Sequence, residues 1–70
     1  PIITKVGDRT FNLFLAGAKQ LNVRVFTPSG QLVHSLSEQG NEYNLNASSW
    51  NKGVYLIQVN GNKAQRIIIY

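Results

Sequence analysis

Cysteine is absent from this 70-residue chain, and with it go disulfides, thiolate metal sites and thiol nucleophiles. Acidic groups are nearly as scarce: Asp8, Glu38 and Glu42 are the only three, and His34 is the only histidine. So few nitrogen and oxygen ligands do not assemble a zinc or calcium cage, so neither a metal nor a cofactor is expected. Long apolar runs are missing too. None exceeds four residues (Leu13 to Ala16, Val54 to Ile57, Ile67 to Tyr70), against the roughly 20 that a spanning helix needs, so no transmembrane segment is expected.

Catalytic groupings are also missing. Serine and threonine hydroxyls occur, but no nucleophile elbow surrounds any of them and Asp8 is the lone aspartate. Glu38 and Glu42 flank Gly40-Asn41, a turn where solvation is the ordinary state of a carboxylate, so they are not read as a glycosidase pair. His34 reads as a strand histidine. No glycine belongs to a phosphate-cradling loop, because Gly30, Gly53 and Gly61 are each accounted for by turn geometry. Asn46-Ala47-Ser48 matches the N-glycosylation triplet, a short pattern that carries little information alone. Enzymatic activity is not expected.

What is present is apolar residue in short, regular doses, 43% of the chain, and an excess of seven Lys and Arg over three acids. A domain this small hides only about 60% of the surface its unfolded chain exposes, so each core side chain counts. The cations (Lys5, Arg9, Lys19, Arg24, Lys52, Lys63 and Arg66) never cluster in sequence, which describes a solvated basic surface rather than a polyanion site. Phe14, Phe26 and Tyr55 with Arg24, Lys63 and Arg66 would be needed for single-strand nucleic-acid binding. Rings in so small a fold are more simply core, and nucleic acid is not an expected partner.

Apolar positions recur with period two, broken by turn residues every eight to twelve positions, the pattern of an all-β sandwich or barrel. Strands are predicted at Ile2 to Lys5, Thr10 to Ala16, Gln20 to Thr27, Gln31 to Ser37, Glu42 to Asn46, Gly53 to Val59 and Asn62 to Tyr70. Leu21, Val23 and Val25 share one face of the third. Thr27-Pro28-Ser29-Gly30-Gln31 predicts a three-residue hairpin loop with Gly30 in the left-handed position. That register sets Val25 opposite Val33 and Arg24 opposite His34. Tyr43 and Leu45 point to the core, and the connection from Ala47 to Gly53 folds Trp50 over the end of the sandwich. Asn60-Gly61 is the preferred dipeptide for a tight turn with positive φ at both corners. A two-residue loop there sets Tyr55 opposite Arg66 and Ile57 opposite Ala64, with Val54, Leu56, Ile67 and Ile69 on the reverse face. Both faces of this last hairpin are then apolar, so it lies inside an assembly or meets something outside it.

The chain closes on Arg66-Ile67-Ile68-Ile69-Tyr70 with no charge after the apolar run. At a sheet edge such a strand is a pairing hazard that proteins ordinarily blunt with charge or proline. Left open, it suits a partner that adds a strand, and it leaves room for strand-mediated self-association.

The order of these pieces resembles a known family. Val23-Arg24-Val25-Phe26, then Ser29-Gly30-Gln31-Leu32-Val33, Tyr43-Asn44-Leu45 with Trp50, Gly53-Val54-Tyr55-Leu56-Ile57-Gln58-Val59, Asn60-Gly61 and Lys63 to Ile69 are similar to the C-terminal sorting domain of type IX secretion cargo, also called the Por secretion system domain, of the Bacteroidetes. About fifty residues, from Leu21 onward, carry the likeness. It implies an immunoglobulin-like antiparallel sandwich of about seven strands, residues 1–70 forming a single C-terminal sorting domain cut from a larger secreted protein. It implies a route through the periplasm to the outer membrane and cell surface, a translocon that recognises the domain, and a sortase resembling a cysteine protease that removes it. The implied recognition residues are Gly53, Tyr55, Lys63, Arg66, Ile67, Ile68, Ile69 and Tyr70; Gly30, Val33, Trp50 and Gly61 match the structural motif. The chain departs from the family pattern at Thr27-Pro28, where Asp or Asn is frequent, at Trp50, where Leu is frequent, and at Tyr70, where Lys or Arg often closes the chain. A chain without cysteine suits an oxidising periplasm. The alternative is an accessory sandwich of carbohydrate-binding or adhesin type, with Trp50, Tyr43 and Tyr55 as ring platforms.

Overall fold

The computed structural model describes residues 1–70 and contains seven strands and no helix. They are β1 (Ile2–Gly7), β2 (Thr10–Phe14), β3 (Gln20–Phe26), β4 (Leu32–Gln39), β5 (Glu42–Asn46), β6 (Gly53–Val59) and β7 (Gln65–Ile69). One sheet has the order β1-β2-β5 and the other β4-β3-β6-β7. Every pairing is antiparallel. This is an immunoglobulin-like sandwich with the fourth strand on the larger sheet, as the alternation of apolar residues requires of two layers sharing one core.

The core lies between the sheets and is wholly apolar. Phe11 and Leu13 of β2 and Leu45 of β5 meet Leu21, Val23 and Val25 of β3, with Ile57, Val59, Ile67 and Ile69 from the closing hairpin. The period of two puts Leu21, Val23 and Val25 inward while Asn22 and Arg24 face solvent, as expected from their spacing. Trp50, on the crossing between β5 and β6, seals one end of this core and is buried.

Two predicted registers slip by one residue, and both slips matter. The loop after β3 closes as expected: the Gly30 amide donates to the Thr27 carbonyl at 2.9 Å, the Thr27 amide donates to Gln31 at 2.8 Å, and Gly30 takes φ of 94°. Beyond the loop Phe26 pairs with Leu32 but Val25 pairs with His34, so Val33 is an extra, bulged residue with no partner of its own. Val25 therefore does not face Val33, and Arg24 sits opposite Ser35 rather than His34. Since opposed residues share a face, the bulge turns His34 toward the core side of the sheet, where it reaches Trp50. β4 also starts later and runs two residues further than predicted, to Gln39, so Gly40-Asn41 alone carries the chain from one sheet to the other.

The second slip is in the closing hairpin. Asn60 and Gly61 adopt φ of 51° and 73°, the doubly left-handed turn that the dipeptide predicts, and the Asn62 amide donates to the Val59 carbonyl at 3.0 Å. Lys63 and Ala64 then stay outside the strand, and β7 begins only at Gln65. Tyr55 therefore faces Ile67, Leu56 faces Arg66 and Ile57 faces Gln65. The expected pairs of Tyr55 with Arg66 and Ile57 with Ala64 do not form. Burial decides which register wins: it sends Ile57, Ile67 and Ile69 together into the core, whereas the expected one would have set Ile67 and Ile69 against the face occupied by Val54 and Leu56.

Candidate recognition surface on the closing hairpin

The β6–β7 hairpin contributes one strand to the interior of its sheet and one to its margin. β6 is flanked by β3 and β7; β7 is paired on one side only. Its outer line of backbone amides and carbonyls meets no other strand of this chain, on a segment whose only charge is Arg66. Ile67 and Ile69 are buried beneath it, Ile68 is half-buried on the outer face, and Arg66 and Tyr70 are exposed. Gly53 starts β6 opposite Ile69, and Tyr55 lies on the core side opposite Ile67. Lys63 is exposed near the turn, at the far end of the hairpin from Tyr70. The eight residues suggested by the resemblance thus share one hairpin but not one face.

The solvent face of the larger sheet is apolar near its Trp50 end. Leu32, Phe26 and Leu56 stand in register across β4, β3 and β6, and Val54 pairs with Ile68 beside them. No layer of this chain covers that face, which is how a two-layer sandwich leaves a hairpin that reads as apolar on both sides. Toward the other end the same face turns polar, where a depression is lined by Asn22, Arg24, Ser35, Ser37, Gln58 and Asn60 among others.

At the Trp50 end several groups converge. The Trp50 indole stacks on the His34 ring with centroids 4.3 Å apart and planes 8° from parallel, and Tyr55 leans against it at 5.0 Å and 57°. The Tyr55 hydroxyl donates to the Asn51 carbonyl at 2.6 Å, fixing the loop that carries the indole. Arg9, in the turn between β1 and β2, donates to the carbonyls of Trp50 at 2.6 Å and Ser48 at 3.3 Å, and to the main-chain oxygen of Tyr70 at 2.9 Å. One guanidinium fork thereby fastens the Trp50 crossing to the end of the last strand. Sequence reading passes over Arg9, because its partners are main-chain oxygens 39 to 61 positions away that leave no mark on residue type.

β1 lies alongside β7 across the open side of the sandwich. The Gln65 side chain donates to the Pro1 carbonyl at 2.9 Å, and the Lys5 ammonium lies 5.2 Å from the centre of the Tyr70 ring. Between these two bridges is a groove of about 370 Å³ lined by Ile3, Lys5, Phe11, Arg66, Ile67, Ile68 and Tyr70.

The other sequence features resolve locally. The Asn46 side-chain oxygen accepts the Ser48 amide at 2.9 Å, so the triplet at Asn46 forms a turn that leads into the Trp50 crossing. Phe14, Phe26 and Tyr55 fall on the solvent face of the smaller sheet, the solvent face of the larger sheet and the core side respectively, and so make no common platform for stacked bases. Trp50 is buried, with His34 on one ring face and Tyr55 against it, which takes away the exposed indole that sugar stacking requires. No three of the His, Asp and Glu side chains come together in a metal-binding group.

No curated protein and no solved structure matches the chain significantly. A family model described as "Secretion system C-terminal sorting domain" matches residues 8–70, from the turn that holds Arg9 to the end of the closing hairpin. With nine-tenths of its length matched, the chain belongs to the family of type IX secretion system C-terminal sorting domains.

Proposed function

We propose that this domain is a non-catalytic address whose recognised element is the hairpin from Gly53 to Tyr70, read by the type IX translocon as the parent protein leaves the periplasm. Family membership supplies the sorting role, and a sorting signal for type IX secretion implies contact with that machinery and delivery to the cell surface or outer-membrane region. The observation that carries the choice of element is the unpaired outer edge of β7 on an almost uncharged strand. Arg66 and Ile67 to Tyr70 are the residues we assign to recognition on that strand, with Gly53 and Tyr55 shaping its partner strand and Lys63 its approach. The parent is then released from the domain by a cell-surface sortase and attached to lipopolysaccharide or set free, in keeping with the resemblance.

Fusing residues 1–70 to a folded reporter in a type IX-competent bacterium tests the address. The reporter is expected at the cell surface, and removing Ile67 to Tyr70 is expected to hold it in the periplasm. Unchanged surface display after that truncation would rule out the terminal strand as the recognised element.

A further inference from the structure

The groove between β1 and β7 has a chemistry of its own, and what it implies rests on the reading of β7 as the recognised strand. Its apolar lining is Ile3, Phe11, Ile67 and Ile68. Its polar lining is cationic, Lys5 and Arg66, with the Tyr70 ring beneath the ammonium. No side-chain carboxylate lines it. The three acids of the chain are elsewhere: Asp8 in the β1–β2 turn, Glu38 on the opposite margin strand β4, and Glu42 on β5, where it accepts a hydrogen bond from Asn12 at 3.2 Å. Two cations beside an unpaired strand edge, with no acidic side chain among the lining residues, attract a segment that brings its own.

We propose that this groove receives an extended segment of a partner protein in which carboxylates alternate with apolar residues, added as a further strand along the outer edge of β7. Main-chain bonds to β7 supply the attachment, alternate apolar side chains enter the groove, and the carboxylates between them meet Arg66 and Lys5. The volume of about 370 Å³ is at the lower end of the roughly 300 to 1,000 Å³ typical of ligand sites, so it admits a few side chains and not a second domain. The bridges from Gln65 to Pro1 and from Lys5 to Tyr70 bracket a span of about six residues, roughly 20 Å of strand.

The test is a titration of the intact, isotope-labelled chain with eight-residue peptides that alternate valine with glutamate, serine or lysine, followed by backbone amide shifts. The glutamate peptide is expected to bind at least about tenfold more tightly than the lysine peptide, with shifts confined to β1 and β7. Raising the salt from about 50 to 500 mM should weaken it severalfold. Arg66→Glu and Lys5→Glu should each remove most of the preference and the double variant should reverse it, with unchanged Trp50 emission reporting an intact fold. Equal affinity for the glutamate and lysine peptides overturns the proposal. So does binding abolished by Leu56→Arg on the solvent face but untouched by Arg66→Glu, or pairing between copies at β7 that blocks the peptide. Export lost on truncating β7 alongside peptides that bind without preference rejects this proposal and leaves the sorting reading standing.

Discussion

Replacing Arg9 with methionine keeps the aliphatic stem and removes the fork that joins Trp50, Ser48 and Tyr70. A hydrogen bond from a charged donor contributes about 1.5 to 3 kcal/mol where water is kept away and much less where it is not. The bond to the Trp50 carbonyl is partly buried and short at 2.6 Å; the bond to Tyr70 is exposed, and the one to Ser48 is long at 3.3 Å. Counting about 1.5 kcal/mol for the first and about 0.5 for the other two together gives a loss near 2 kcal/mol. For a domain of this size that corresponds to a fall in Tm of roughly 8 to 16 °C. Urea unfolding followed by the emission of the single tryptophan measures it, since Trp50 is buried in the native state. Arg9→Lys, which keeps the charge but not the fork, should restore less than half of the loss. A loss below about 0.5 kcal/mol for Arg9→Met, or a lysine variant as stable as the parent, would refute the clamp.

Other substitutions probe the turns and the aromatic cap. Gly30→Ala meets no atom within 4 Å, so its cost comes from backbone conformation alone: about 1 to 2 kcal/mol by denaturation, for a residue held at φ of 94°. The Asn60 side chain accepts the Asn22 amide at 2.6 Å and donates to the Gln20 carbonyl at 2.9 Å. Asn60→Gly keeps the turn but loses both bonds, so a destabilisation of about 1 kcal/mol with no change in register is expected, read by unfolding and by amide shifts of β3. Trp50 should emit at short wavelength and resist acrylamide; His34→Ala should shift that emission to the red and cost about 0.5 to 1.5 kcal/mol for the lost stack.

Much of this fold is legible in the residues because alternation and turn chemistry agree. β5 and β6 lie where the pattern puts them, the faces of β3 follow from Leu21, Val23 and Val25, and Asn60-Gly61 turns as its composition requires. Legibility fails where two registers satisfy the same pattern. In Gln31-Leu32-Val33-His34 adjacent apolar residues hide which one is extra, and only the packing of His34 on Trp50 accompanies the choice. In the closing hairpin both faces are apolar, so a one-residue shift leaves the pattern looking sound, while the core accepts only the register that buries Ile67 and Ile69 with Ile57. The proposed recognition site divides the same way. The open terminal strand is read from its composition, but the neighbouring β1, with Ile3 and Lys5, joins the site only through the way the sheets stack, and Arg9 bonds to oxygens that every residue possesses.

The Gln65 to Pro1 and Arg9 to Tyr70 bonds span 64 and 61 positions, nearly the whole chain. Neither can form until residues 65 to 70 have docked against the amino-terminal part of the domain. The two layers can begin to associate through β2, β3, β5 and β6, but the lock between first and last strands waits for β7 to dock. Closure of the domain therefore depends on contacts distant in sequence, which typically form slowly.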